Sequence, residues 1–336
     1  MLSKFTKGLI LALYVACFVS LGILIKTKDM TEDLDNHPDF SLSLLIILVE
    51  LMKMVMSFTL ALISGRKNLK VTIKRISTLR AEKFRFMIIS FSYFIYNQLN
   101  FVNYLHFSSP MVKLMMNSRI IFTVILDYLL LSKTFDTELF QSIFLLFMGC
   151  VLGQYDNESN YGYESDTSKV LTIILNYFLL FFQAFLSSFG SVISELMYKS
   201  YSDPIHEQNF WHCTWGFLFN YVVLCLRDKR LINLFALIKL LSPTKILYVI
   251  LLSCGGIFAS SLLKHLSSVT KAYASSCELF ISALFSAFIF GKKISFNFIM
   301  ASILVTYSVI LYTNIKTKKK KKQMNKKLQV DEKKLK

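Results

Sequence analysis

The 336-residue chain is poor in the residues that break a fold or keep it in solution: 4 Pro, 11 Gly and 18% charged side chains, where soluble domains average about 25% charged. The scarcity of Pro and Gly excludes collagen-like and low-complexity chains. The scarcity of charge, beside 54% hydrophobic residues and a mean hydropathy of +0.51, excludes disorder and an ordinary cytosolic enzyme. Cys17, Cys150, Cys213, Cys225, Cys254 and Cys277 all fall inside apolar stretches without a C-x-x-C pair or metal spacing. They read as small buried hydrophobes, not as a secreted disulfide framework, and no metal or other cofactor is expected. There is no P-loop, no H-E-x-x-H and no defensible Ser/His/Asp spacing, so neither ATP coupling nor hydrolysis is expected.

What is there is a succession of apolar runs, at residues 8–25, 40–63, 86–105, 109–131, 138–154, 169–197, 209–226, 243–263, 269–290 and 296–315. A bilayer takes about 20 residues per helical span, so ten spans would use roughly 200 residues and leave only short loops. The first run follows Lys4 and Lys7, is 18 residues long and lacks a small-x-small cleavage site; it reads as an uncleaved first helix. The expected fold is an all-α polytopic membrane protein of ten transmembrane helices.

The net charge of +17 then speaks of orientation before it speaks of partners. Residues 64–85 hold eight bases against Glu82 alone, and the tail from Lys316 holds eleven lysines against Asp331 and Glu332. Loop 26–39 has five acids against two lysines, and loop 154–168 has four acids and no base. The positive-inside rule puts both termini and segment 64–85 in the cytosol. Arg227, Lys229, Arg230, Lys292 and Lys293 run against that rule in the later loops. Asn157-Glu158-Ser159 is a glycosylation sequon on the side opposite the cytosol. No nucleic-acid partner is implied, and the bilayer itself is the expected environment.

A weak internal repeat is visible. His106-Phe107-Ser108-Ser109 recurs as His265-Leu266-Ser267-Ser268, and Leu131-Ser132-Lys133 faces Phe290-Gly291-Lys292 at the same offset of 159. Five spans separate the copies, so they enter the membrane from opposite sides, which is the inverted repeat of alternating-access carriers. The expected division is a five-helix half at 1–155, a second at 156–315 and a cytosolic lysine-rich tail at 316–336.

Ionisable residues at membrane depth are functional candidates, because lipid tolerates them only against a partner or a cavity. Glu50 and Lys53 lie three apart on one helix face, and Glu195 and Lys199 four apart; both pairs read as structural ion pairs. Arg119 has no acid within a turn. Lys264 and Lys271 flank the eighth-to-ninth turn, near His265 and several hydroxyls, with Glu278 two turns beyond. Such groups suit binding and not bond breaking. Cations would hold phosphates, while Tyr93, Tyr96, Asn97, Gln98, Asn100 and Asn209 would meet a base, a ribose or a sugar. The competing class, a membrane glycosyltransferase, rests only on Asp33-Leu34-Asp35, a D-x-D triplet in an acidic loop.

Taken in order, these motifs resemble the nucleotide-sugar transporter family of the drug/metabolite transporter superfamily, most nearly its branch for CMP-sialic acid, UDP-galactose and UDP-N-acetylglucosamine. Val49-Glu50-Leu51-Met52-Lys53 is similar to that branch's A-E-L-x-K. Tyr93 and Asn97 fit its Y-x-x-Q-N-N, with Tyr96 and Gln98 as departures. Phe189 to Lys199 resembles the pattern ending in E-x-x-x-K, and Gln208-Asn209 stands for Arg-Asn. Gly255-Gly256, Lys264, Lys271 and Ala274 resemble the G-G and K-Y... K-x-F-A motifs. Met116-Asn117-Ser118-Arg119 replaces Y-Q-L-K, keeping a cation as Arg and losing the Tyr.

The resemblance implies two inverted five-helix repeats and an antiporter, not an enzyme. It would import a UDP-sugar, UDP-N-acetylglucosamine or UDP-galactose, into the endoplasmic reticulum or Golgi lumen and return a nucleoside monophosphate. Another drug/metabolite carrier for a different organic solute is the alternative. The expected substrate-binding residues are Tyr93, Asn97, Arg119, Asn209, Lys264 and Lys271. Lys333 and Lys334 are similar to the dilysine retrieval signal of endoplasmic reticulum membrane proteins, which coat protein reads from the cytosol; Lys318 to Lys322 would alternatively meet anionic lipid. A homo-oligomer is compatible with all of this.

Overall fold

The computed structural model describes residues 3–25, 38–65, 69–78, 81–107, 112, 115–132, 137–152, 170–228, 242–290 and 296–335. Apolar runs with few Pro or Gly satisfy their backbone hydrogen bonds locally, and among the described residues they form helices and no strand. In chain order these are α1 (Lys4–Leu24), α2 (Pro38–Ser64), α3 (Leu69–Ser77), α4 (Ala81–His106), α5 (Arg119–Leu131), α6 (Thr137–Leu152), α7 (Val170–Ser200), α8 (Ile205–Asp228), α9 (Pro243–His265), α10 (Ser268–Phe290) and α11 (Phe296–Leu335).

Each of the ten apolar runs contains a helix. Among the described residues, five segments are long and apolar enough to cross a bilayer by length and composition: Phe5–Leu24, Leu44–Ser64, Ile174–Ser200, Pro243–His265 and Phe296–Ile315. α4 and α8, of 26 and 24 residues, are also long enough, rising about 39 and 36 Å. Their mean hydropathy is lowered by the Asn, Gln, Ser and His side chains they carry.

Two features depart from the sequence reading. Within the fourth run, described at 112 and from 115 on, α5 begins at Arg119 after a turn at Asn117 and Ser118, and the Ser118 hydroxyl donates to the Met115 carbonyl at 2.7 Å. Asn and Ser compete for backbone groups in this way, which favours a break over a continuous helix. The basic segment 64–85, read as a loop, contains the nine-residue α3.

The packing is pairwise and long-range. α1 packs on α9 and α10, α7 on α4 and α5, α2 on α8, α6 on α11, and α2 and α4 pack on α9 and α8 respectively. Ile120, Ile143, Leu146, Tyr273, Val305 and Tyr312 fill one core between α5, α6, α10 and α11. Phe86, Ile89, Ile193, Tyr198, Trp211 and Leu263 fill another between α4, α7, α8 and α9. Exposed apolar side chains such as Phe140, Phe178, Phe288 and Ile303 point outward, as lipid-facing surfaces do.

Small residues set the closest approaches. At Gly149 on α6, an added Cβ would lie 2.9 Å from Val305 Cγ2, 3.2 Å from Leu304 Cβ and 3.3 Å from the Ala301 carbonyl oxygen on α11. Gly149→Leu should therefore force α6 and α11 apart and cost about 1–3 kcal/mol, read as a lower midpoint of thermal unfolding in detergent; an unchanged midpoint would remove this contact from the helix seam.

Candidate functional site

A cavity of about 410 Å³ opens between α1, α2, α4, α7, α8, α9 and α10, with Arg119 at the start of α5 on its wall. Its polar lining is supplied by helix faces that would otherwise meet lipid: Tyr93, Tyr96, Asn97 and Asn100 recur at helical spacing on α4, and Asn209 and His212 do so on α8. α1 contributes Tyr14 and Phe18.

Lys271, in the first turn of α10, enters this space. Its Nζ donates to Ser191 Oγ at 3.0 Å and to Tyr93 Oη at 3.4 Å, and lies 5.7 Å from the Tyr93 ring centroid. The Tyr93 ring meets the His212 ring edge-on at 5.9 Å, and His212 Nδ1 sits 3.1 Å from Ser90 Oγ. Arg119 donates from Nη2 to Ser275 Oγ at 2.8 Å, while its carbonyl accepts from Ser188 Oγ at 2.6 Å. Both cations thus rest on neutral hydroxyls, and an arriving anion finds their charge uncancelled by the partners these bonds supply.

Glu50 and Lys53 form an ion pair of 2.6 Å on the cavity wall. The pair fits because its neighbours lack side chains: a Cβ at Gly256 would lie 2.8 Å from Lys53 Cδ, and one at Gly216 would lie 3.0 Å from Glu50 Oε2. Glu50 Oε2 is buried and accepts no hydrogen bond from the described residues. Asn209, 2% exposed, has neither its Oδ1 nor its Nδ2 paired among the described residues. Buried amides in proteins are nearly always paired, so this one is available to a bound polar solute or to water.

A second polar cluster lies where α7 ends and α10 begins. Glu195 is fully buried, pairs with Lys199 at 2.6 Å, and accepts from the Ser268 amide and hydroxyl at 2.6 and 2.7 Å. Ser268 Oγ also lies 2.7 Å from Asp127 Oδ1, and Lys199 donates to the Leu266 carbonyl at 2.6 Å. These contacts tie α5, α7 and the α9–α10 turn together.

Of the expected site residues, Tyr93, Asn97, Arg119, Asn209 and Lys271 line one cavity. Lys264 does not; its Nζ donates to the Asp203 carbonyl at 2.7 Å. The sequence reading missed Tyr14, Ser191, His212 and Ser275. His212 had a legible signal, an ionisable ring inside an apolar run; the others are hydroxyls of a kind common throughout the chain. Asn157, Asp33, Asp35, Lys292 and Lys293 lie outside the described residues, as do the side chains of Lys333 and Lys334.

Residues 3–313 match the family profile described as nucleotide-sugar transporter. The CMP-sialic acid transporter 2 of Oryza sativa subsp. indica is 27% identical over 240 residues, covering 71% of this chain. The match spans 65% of the rice protein's own length. The UDP-galactose transporter senju of Drosophila melanogaster is 25% identical, with 90% of this chain and 85% of its own covered. The CMP-sialic acid transporter 4 of Arabidopsis thaliana is 27% identical, with 82% and 76% covered. One crystal structure superimposes with a TM-score of 0.66 at 12% identity, over 93% of this chain and 98% of its own, a likeness of fold alone.

Lys53→Met should strand the Glu50 carboxylate and lower stability by about 2–3 kcal/mol, less than for a fully buried pair because both side chains keep 13–14% exposure. Glu50→Gln with Lys53→Met should recover most of that loss in a thermal-unfolding assay. A double variant as unstable as the single one would show that the pair is not the cause.

Proposed function

The chain belongs to the nucleotide-sugar transporter family, and we propose that it is an antiporter carrying a UDP-sugar, UDP-N-acetylglucosamine or UDP-galactose, in exchange for a nucleoside monophosphate. The observation that carries this reading is the single cavity holding Arg119, Lys271, the unpaired Asn209 and the Tyr93 and Tyr96 rings. Two cations suit a diphosphate, aromatic faces suit a base, and amides suit ribose and sugar hydroxyls. A volume of about 410 Å³ falls within the usual range of ligand pockets, about 300–1,000 Å³. Lys264, turned to a backbone carbonyl, has no part in this site.

The proposed architecture is ten spans in two inverted halves, 1–155 and 156–315, followed by the tail at 316–336. The packing supports it. Exchanging α1, α2, α4, α5 and α6 for α7, α8, α9, α10 and α11 turns the α1–α9 pair into α7–α4, α1–α10 into α7–α5, and α2–α9 into α8–α4, while α2–α8 and α6–α11 map onto themselves; all of these pairs are in contact. Such a pseudo-twofold lets two halves rock about a midplane site. With the basic segments on the cytosolic side, the Glu195, Lys199, Ser268 and Asp127 cluster closes the cytosolic end. Its hydrogen bonds would have to part for cargo to enter from there. Residence in Golgi or endoplasmic reticulum membrane accords with lumenal use of sugar nucleotides.

A CMP-sugar is the second reading, supported by the names of the rice and Arabidopsis relatives. CMP-sialic acid also brings two anionic groups, a phosphate and a carboxylate, to the same two cations. Uptake of labelled nucleotide sugars into proteoliposomes preloaded with UMP or CMP separates the readings. Stimulation by UMP supports the first and stimulation by CMP the second; no stimulation by either overturns exchange. Lys271→Ala should reduce uptake about ten- to a hundredfold, the loss of a charged phosphate contact, while leaving folded yield unchanged.

A further inference from the structure

Five described bases lie between residues 64 and 85, and the structure divides them. Arg75 lies 3.5 Å from Glu207 Oε1. Lys83 donates to the Arg75 carbonyl at 2.9 Å and lies 5.1 Å over the Trp211 ring. Arg85 bonds the Tyr201 hydroxyl and lies over its ring at 5.6 Å. Lys70 and Lys74, four apart on α3, are exposed and have no partner among the described residues.

Beside Val71, 52% exposed, and Arg75 on its far side, α3 presents three further faces in helical order. Thr72 and Ile76 are buried against the protein. Next come Leu69 and Ile73, 45% and 43% exposed although apolar, and then Lys70 and Lys74. The helix has no acid. It is held tightly to the end of α2, since a Cβ at Gly65 would run into the Thr72 hydroxyl. The helices before and after it expose Val55 and Ile63, and Phe84, Ile88 and Phe91, so α3 sits at the rim of the lipid-facing belt. An apolar stripe beside a basic one, at that level, matches the boundary between acyl chains and headgroups.

We propose that α3 is a docking helix for negatively charged phospholipid headgroups of the cytosolic leaflet, with Leu69 and Ile73 in the acyl boundary and Lys70 and Lys74 on the phosphates. Through Arg75 and Glu207 it is joined to α8 two residues before Asn209, so headgroup charge bears on one end of the cavity.

The test compares the full chain with Lys70→Gln/Lys74→Gln and with a tail variant in which Lys318 to Lys322 are replaced by Ser. Fluorescent phosphatidylserine or phosphatidylcholine is titrated into each detergent-solubilised protein, a readout that needs no cargo. The α3 variant should lose affinity for phosphatidylserine on the order of thirtyfold, the contribution of two surface lysines, with phosphatidylcholine unchanged, while the tail variant keeps most of it. Uptake by the parent protein should be faster in liposomes with phosphatidylserine than without, and the α3 variant should lose that difference. Undiminished phosphatidylserine affinity in the α3 variant, loss confined to the tail variant, or full competition by soluble glycerophosphoserine would overturn the proposal.

Discussion

A hydrocarbon layer offers a polar side chain no hydrogen-bond partner, so a Ser or Thr on an apolar helix bonds a carbonyl of its own helix or turns to a neighbour, and an Asn, Gln, Glu or Lys turns toward another helix or toward a cavity. Much of this protein follows from that demand. Ser142 on α6 donates to the Ser308 carbonyl and lies 2.6 Å from the Tyr273 hydroxyl, which ties α6, α10 and α11. Asn103 and Asn100 on α4 are joined through Gln183 on α7 at 2.7 and 2.9 Å. These bonds set helix rotation more sharply than the apolar contacts around them, because one apolar side chain substitutes for another while a donor needs its acceptor.

The same demand distinguishes two polar clusters. Around Glu195 the groups are well paired: carboxylate, ammonium, amide and hydroxyl meet at 2.6–2.7 Å. On the cavity wall they are not, since the Asn209 amide and Glu50 Oε2 are buried without partners among the described residues. A saturated cluster fastens helices together, and an unsaturated one leaves polar atoms open to a solute or to water. The glycines at 216 and 256 belong to the second kind, making room for the Glu50–Lys53 pair beside the cavity.

The helices were legible because an apolar run is an unambiguous signal in this composition: the run at 243–263 is a helix over Pro243–His265, and that at 269–290 over Ser268–Phe290. The start of α5 was not, because Asn117 and Ser118 are two polar residues in a long apolar run, and only local hydrogen bonding tells a break from a continuation. α3 was hidden by its own bases, which read as topology before they read as one side of a helix. In the cavity, Lys271 and Arg119 were found because a cation in an apolar run stands out. Lys264 stands out equally, and the helix boundary at Leu266 and Ser267 sends it elsewhere; closeness in sequence across such a boundary carries no shared direction.

The bare amide of Asn209 has a consequence for selectivity in the proposed carrier. A solute that reaches the cavity without a matching donor and acceptor displaces water and leaves the amide dry, whereas one that carries them restores what burial took away. Rejection of near-miss molecules then requires no steric wall. A site built to hydrogen-bond its ligand can discriminate against an analogue lacking the group by about 10⁴-fold, so in the proposed carrier one such side chain would act as a sieve through what it withholds.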